Sequence, residues 1–432
     1  MTRQLLTPEW ITYFEEFNRI IVGFSGGLDS TVLLHTLAVN PLLSSKLLAV
    51  HINHGISSKS QSWQDHCSAF CQTLGVAFLS QTVHFDRTAN IEEEARVARY
   101  EAFSSLLHDR DCLVLGHHMD DQAETVLLQL FRGAGVDGLS AMMEKGFCGL
   151  GSMARPLLTC AREQLETYAS VHKLTWIEDD SNLDINYSRN YLRHQIMPLL
   201  VHKWPSVASN LTRTANHCQQ ARANLDELAV QDCPELIAVQ GILNIKKLKL
   251  FSERRIVNIL RVWLKKNQIQ LPSASTLKRL VHEMVFARQD ALPVVSWGTH
   301  KIRRYRENLY IDTISSFDLP SSIEWPDFPK SLTVLDNLFV LTARKTDQGL
   351  LVPDGAKIIV RFRQGGELFY LHGQTKQLKK LFQEWNIPPW LRGRIPLVYI
   401  NDQLACVVGY AISDLFFSTN SSQAWELLIK TK

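Results

Sequence analysis

Six consecutive residues, Ser25, Gly26, Gly27, Leu28, Asp29 and Ser30, have the types and order of a phosphate cradle. Two adjacent glycines let the backbone curl so that successive N–H groups point at one anion, and a following helix adds partial positive charge at the same place. A Walker loop would need a Lys after the glycines; none follows, and an Asp stands inside the loop instead. A carboxylate beside phosphates is repulsive unless a cation bridges them, so Asp29 predicts ATP bound together with Mg2+. The second group is Gly116–Thr125 (GHHMDDQAET). Asp120 and Asp121 fall in the first turn of a predicted helix and Glu124 three and four residues on, so at least two carboxylates share a face. Such a cluster suits a metal ion, with Asp29 and Asp121 as the metal ligands, or an ammonium group; a solvated capping turn is the plain alternative. His117 and His118 are candidates for phosphate or nucleotide contact, as are His51 and His54, and a structural role for each is as well supported.

These groups need elements to carry them. The run Asn18–Phe24 (NRIIVGF) reads as a buried strand that ends where the glycine loop begins, and Ser30–Ala38 as the helix after it. Further apolar runs at Leu47–Ile52, Val76–Leu79 and Cys112–Gly116 alternate with helix-length segments. Short buried strands interleaved with helices predict an α/β domain built on a parallel, doubly wound sheet, whose ligands bind beyond the carboxyl ends of the strands. Beyond it, Ala208–Val230 is helical, and Glu253–Lys266 sets Ile256, Ile259, Leu260, Trp263 and Leu264 on one face. A third helical pattern spans Ser275–Arg288, and Lys301–Ile311 alternates like a hairpin around Glu307 and Asn308. The prolines and serines of residues 313–330 read as a linker, and the last stretch as a small α+β domain. The expected division is a catalytic domain 1–215, a mainly helical domain 216–315, a linker 316–345 and an α+β domain 346–432.

A chain of 432 residues exceeds one compact domain of about 150. Its composition excludes a disordered or fibrous chain. No run approaches the roughly 18 apolar residues of a membrane span, and no signal-peptide core is evident, so a cytoplasmic protein is expected. Eight sparse cysteines without a CxxC pair fit free thiols in a reducing compartment. The net charge of +3 conceals a division. Residues 1–215 carry 17 Lys and Arg against 23 Asp and Glu, residues 216–315 carry 16 against 9, and residues 316–432 carry 13 against 11. A basic middle region suits a polyanion such as RNA. Its candidates for phosphate contact are Arg254, Arg255, Arg261, Lys265, Lys278, Arg279, Arg303, Arg304 and Arg306. Lys376, Lys379, Lys380, Arg392 and Arg394, around Trp385 and Trp390, extend them into the last domain.

The Ser25–Ser30 loop resembles the pyrophosphatase loop of N-type ATP pyrophosphatases, which split ATP between the α- and β-phosphates and pass AMP to an acceptor oxygen. With LGHHMDDQAET (115–125), FRGAGVDGLSAM (131–142), RPLL (155–158), WIEDDSNLDINYSRNYLR (176–193), VRFRQGGE (360–367) and LKKLFQEWNIPPWLRGRIPLVY (378–399), nearly the whole chain is similar to the tRNA(Ile)-lysidine synthetase family. The resemblance implies an adenine nucleotide alpha hydrolase-like first domain and, as substrates, ATP, free L-lysine and the wobble cytidine of an isoleucine tRNA with a CAU anticodon. ATP adenylates the cytosine O2, and the lysine ε-amine displaces AMP at C2. The likeness makes Arg189, Asn190 and Arg193 active-site candidates beside Asp29, Asp120, Asp121 and Glu124. Arg96 and Arg99, three apart on the helix starting near Glu92, are spaced either to face the site, with Arg96 as the candidate, or to pair with Glu92 and Glu93. A homodimer is compatible with the apolar content. The rivals are a tRNA sulfur transferase, for which only Cys67 and Cys71 lie close in sequence, and an inactive RNA-binding relative, which the intact carboxylates oppose.

Overall fold

In the computed structural model, alternate residues of the strand Arg19–Gly23 (β1) enter two different cores. Ile20 and Val22 pack with Val32, Leu33 and Leu47, whereas Ile21 packs with Val50, Phe103 and Leu113. A strand apolar on both sides belongs to a parallel sheet with helices on both faces. The structure describes residues 5–55, 59–85, 91–238, 241–288, 291–312, 320–335, 339–419 and 424–431. The chain divides into two compact units, Met1–Pro234 and Glu235–Lys432.

The first unit begins with helix Pro8–Glu15 (α1), β1, Leu28–Ala38 (α2), Leu47–Asn53 (β2), Ser60–Leu74 (α3), Ala77–Thr82 (β3) and Ile91–Leu106 (α4). Asp111–Val114 (β4), Met119–Phe131 (α5), Val136–Leu139 (α6), the hairpin Lys145–Cys148 (β5) and Gly151–Ala154 (β6), and Arg162–Val171 (α7) follow. The sheet order is β3-β2-β1-β4-β6-β5, parallel throughout except for β5. The winding reverses between β1 and β4, and the connections leaving their carboxyl ends part there, opening the crevice in which doubly wound sheets bind ligands. Those two connections are the glycine loop and the GHHMDD segment. Downstream, Ser188–Tyr191 (α8) and Met197–Lys203 (α9), joined by a π-helical turn at Leu192–Ile196, lead into the long helix Val207–Asp232 (α10). Because α10 packs on α5 and α6 and runs unbroken through residue 215, the boundary expected there falls inside a helix.

In the second unit, Glu253–Lys266 (α11) has the predicted extent, with Ile256, Ile259, Leu260, Trp263 and Leu264 buried. It is accompanied by Ala274–Arg279 (α12) and by an antiparallel sheet of Ile242–Asn244 (β7), Asn308–Asp312 (β10), His300–Tyr305 (β9) and Val294–Trp297 (β8). The last stretch is antiparallel, built on Ile358–Arg361, Leu397–Ile400 and Gln403–Val407 and on the long pair Phe339–Leu351 with Ala424–Thr431. Residues 320–335, expected as linker, instead supply the strands Ser322–Glu324 and Leu332–Leu335 and bury Trp325 in this core. The prolines there mark a turn at residues 326–329 rather than a tether. Residues 313–319 and 336–338 of the expected linker lie outside the described residues. No helix among the described residues is long and apolar enough to cross a membrane, and all eight cysteines are free.

Candidate active site

The glycine loop is shaped by its own side chains. Ser30 Oγ donates to the Gly27 carbonyl at 3.0 Å and accepts from the Ser25 amide at 3.2 Å, and the two serine hydroxyls lie 3.1 Å apart. Leu28 is buried and anchors the start of α2 in the core. No side chain caps α2, which leaves its first N–H groups and its dipole for an anion. Gly26 has φ +84°, a left-handed conformation, and a Cβ there would meet Ile177 Cδ1 at 2.6 Å and Cys67 Sγ at 2.8 Å. The Ile177 amide closes the loop from outside by donating to the Gly26 carbonyl at 2.8 Å. Gly116 lets the two connections approach: a Cβ at that position would lie 3.0 Å from the Asp29 backbone carbonyl.

His118 joins the two motifs. It is 1% exposed and caps α5. Its Nε2 sits 3.6 Å from Asp29 Oδ2 and 3.4 Å from Asp121 Oδ2, and its Nδ1 lies 3.3 Å from the Asp120 amide and 3.4 Å from the Asp120 carboxylate. Burial alone lowers the imidazole pKa, but the Asp120, Asp29 and Asp121 carboxylates around it outweigh burial and raise it to about 10. Asp121 is the complement: burial raises its pKa, yet the charges of His118 and Arg189 hold it down at about 2. Asp120, more exposed, also accepts from the Arg162 amide at the start of α7 at 2.9 Å. Asp29 Oδ1 is buried without a hydrogen-bond partner.

Two arginines saturate the other carboxylates. Arg189 Nε reaches Glu124 at 2.8 Å and its NH2 reaches Asp121 at 2.9 Å. Arg193 binds Glu124 in bidentate fashion at 2.6 and 2.9 Å and Asp121 at 3.0 Å. Glu124 is almost wholly buried, whereas the arginine side chains are 31% and 28% exposed. Each arginine thus spends one edge on the carboxylates and keeps the other toward solvent.

The sequence candidates therefore divide. Ser25–Ser30, Asp120, Asp121, Glu124, Arg189 and Arg193 converge. Asn190 turns to the Asp184 carbonyl, 2.9 Å away. His51 lies behind the loop, its Nδ1 3.0 Å from the Phe24 carbonyl, and burial favours its neutral form. His117 accepts from Arg155 Nε at 3.1 Å, and burial lowers its pKa to about 3. Arg96 pairs with Glu93 on the exposed face of α4. His118, one of the four histidines expected to contact phosphate or nucleotide, instead stands among carboxylates. The residues that sequence reasoning passed over are Arg155, buried and bonded to His117, Tyr100 and the Met143 carbonyl, and Ile177. Both lie inside segments that carry the family likeness, but neither type nor spacing distinguishes them there.

Magnesium takes one or two carboxylates and completes its shell with phosphate and water. The orphaned oxygen of Asp29, a residue of the phosphate cradle itself, fits that requirement. Among the described residues no cluster of three metal-ligating side chains forms a protein-only cage, and both Asp121 oxygens already accept hydrogen bonds, from the His118 amide and from the arginines. The expected second metal ligand, Asp121, is thus engaged elsewhere, because two cationic side chains outcompete solvent at a buried carboxylate.

Comparison with known proteins decides between the rivals. A PP-loop domain matches residues 2–200, a TilS substrate binding domain residues 243–310 and a TilS substrate C-terminal domain residues 358–429. The chain is 60% identical over 428 residues to a tRNA(Ile)-lysidine synthase of Legionella pneumophila (strain Paris), covering 99% of both chains. The chain belongs to the tRNA(Ile)-lysidine synthase family. Relatives of the same name from Coxiella burnetii and Serratia proteamaculans are 40% and 38% identical, each over 99% of this chain. The family is one of ATP-using, tRNA-modifying ligases, which sets aside both the sulfur transferase and the inactive RNA-binding relative.

For a tRNA-modifying member of this family, the basic candidates of the second unit separate by burial. Arg254 and Lys379 are exposed, and Arg261 and Lys265 are half-buried. Arg392 is buried and donates to the Ile387 carbonyl at 2.9 Å and to the Tyr305 hydroxyl. Arg304 is wholly buried and holds the carbonyls of Met284, Ala287 and Arg306. Arg279 and Arg303 pair with Glu283 and Asp312. Arg392 and Arg304 are therefore structural rather than contacts for RNA: a buried guanidinium held by backbone carbonyls stays where its bonds are.

Proposed function

We propose the following division of labour for the family's reaction, ATP-dependent ligation of lysine to C2 of the wobble cytidine of a CAU-anticodon isoleucine tRNA. The Ser25–Ser30 backbone and the α2 N-terminus hold the ATP phosphates. Asp29, through its unpartnered oxygen, holds Mg2+, which when bound neutralises phosphate charge. Arg189 and Arg193, fixed by Asp121 and Glu124, aim their free edges at the phosphates and support the departing pyrophosphate. The cytosine O2 attacks the α-phosphorus as the bond to pyrophosphate breaks. The lysine ε-amine, having lost a proton, then attacks C2 and AMP leaves with the C2–O bond electrons. Asp120, the more exposed carboxylate, is the group best placed to receive the lysine ammonium, while Asp121 and Glu124 act through the arginines they hold. The exposed basic residues Arg254 and Lys379 serve the tRNA, with Arg261 and Lys265 beside Arg254.

The observation that carries this reading is the convergence of the cradle, an orphaned carboxylate oxygen and a two-arginine clamp at the β1/β4 crevice. Its test incubates the protein with labelled lysine, ATP, Mg2+ and a CAU-anticodon isoleucine tRNA transcript. Label should enter the RNA with release of AMP and pyrophosphate. Labelled sulfur entering RNA in place of lysine would reverse the assignment.

A further inference from the structure

We propose that His118 is a positioning residue that turns Asp29 so that its unpartnered oxygen faces the phosphate cradle. Two buried polar atoms at the crevice lack a hydrogen-bond partner, Asp29 Oδ1 and His118 Nε2. The imidazole belongs to the β4–α5 connection and Asp29 to the first turn of α2, so this contact spans the crevice between two separately built motifs. Nε2 stands between Asp29 Oδ2 and Asp121 Oδ2 and attracts both, which spends one oxygen of Asp29 on the protein and leaves the other, Oδ1, without a partner. Without the ring, two carboxylates would face each other across the gap, and Asp29 would rotate away or draw in water. Asp121 cannot compensate, because Arg189, Arg193 and the His118 amide already occupy its oxygens. The inference rests on Asp29 as the metal-binding carboxylate.

The two ring nitrogens have separable tasks. Nδ1 stands at the start of α5 beside the Asp120 amide and carboxylate, and Nε2 reaches Asp29. An Asn amide occupies the position of Nδ1 and is itself a favoured cap, whereas a Gln amide reaches the position of Nε2. His118→Asn thus keeps the cap and loses the reach, and His118→Gln does the reverse. The experiment titrates Mn2+ into the full-length protein carrying the α,β-methylene analogue of ATP and follows bound metal by electron paramagnetic resonance, with thermal melts and tRNA binding in parallel. Relative to wild type, His118→Asn should weaken Mn2+ binding at least tenfold with its melting temperature and tRNA affinity retained. His118→Gln should recover most of the metal affinity despite a lower melting temperature. If His118→Asn binds Mn2+ as wild type does, or His118→Gln is the weaker metal binder of the two, the positioning role is refuted. Asp29→Asn separates the layers: if it leaves Mn2+ binding unchanged, the metal reading of Asp29 falls and takes this inference with it, whereas its loss beside an unaffected His118→Asn overturns the His118 role alone.

Discussion

Glu124→Gln and Arg193→Lys, made singly and together, probe whether the buried carboxylates act through the arginines. Arg193 gives Glu124 two bonds and Asp121 a third. A charge-assisted bond contributes about 1.5–3 kcal/mol, and removing one partner of a buried pair costs about 3–5 kcal/mol. Arg189 remains on both carboxylates and Arg193 is 28% exposed, so water and the neighbour recover part of that loss. Each single change should cost about 2 kcal/mol, and the coupling between the two should be about 1–2 kcal/mol, because a lysine lacks the fork and a glutamine lacks the charge. Hydrogen exchange of the α5 and α8 amides reads the local opening free energy, and kcat/KM for ATP reads the same cycle in function. Both cycles should show the coupling. Effects additive within about 0.5 kcal/mol in both would mean that the carboxylates and arginines work independently, and the clamp would have to be abandoned.

Gly116→Ala places a methyl group against the Asp29 backbone and should cost about 1–3 kcal/mol of stability while raising the KM for ATP, read by thermal melts and initial rates. Asp29→Asn should lower adenylation of the transcript by about 10³-fold or more with tRNA binding intact. Chelation of divalent ions by EDTA should do the same to the wild type without altering its circular dichroism. Arg254→Ala should weaken tRNA binding and reduce the salt slope by about one, whereas Arg392→Ala should lower the melting temperature and leave that slope unchanged; the reverse pattern would exchange their roles.

What the sequence reveals here depends on how local the physics is. The strand Arg19–Gly23 and the helix Glu253–Lys266 follow from apolar periodicity, and the hairpin expected around Glu307 and Asn308 forms with its turn one residue earlier, between Tyr305 and Asn308. The glycine loop is legible because a phosphate cradle needs glycines in a contiguous run. Arg189 and Arg193 reach Asp121 across 68 and 72 residues, and only family likeness placed them in the site. The burial of Arg392 was not legible at all: its partners Tyr305 and Ile387 lie on separate elements, and a basic residue in a basic stretch carries no mark of which side of the surface it lies on. His118 was legible only as a phosphate or nucleotide contact on a par with His117, since a histidine is an unusual helix cap and two adjacent histidines look alike until the fold buries one between carboxylates. The supposed linker failed because proline and serine content reports turns and says nothing about whether the flanking residues, such as Trp325, are buried.

The hydrogen bond from Ile177 to Gly26 has a consequence for how this chain can vary in length. Ile177 is pinned to the glycine loop and Arg189 to α5, and the eleven residues between them pass through solvent-exposed Leu183 and Ile185. Lengthening a closed loop costs little, since the closure entropy grows only with the logarithm of its size. Shortening it first uses up the turn at Asp180–Leu183 and only then draws on the two anchors. Relatives should therefore tolerate insertions and substitutions around Leu183 more readily than deletions long enough to remove that turn.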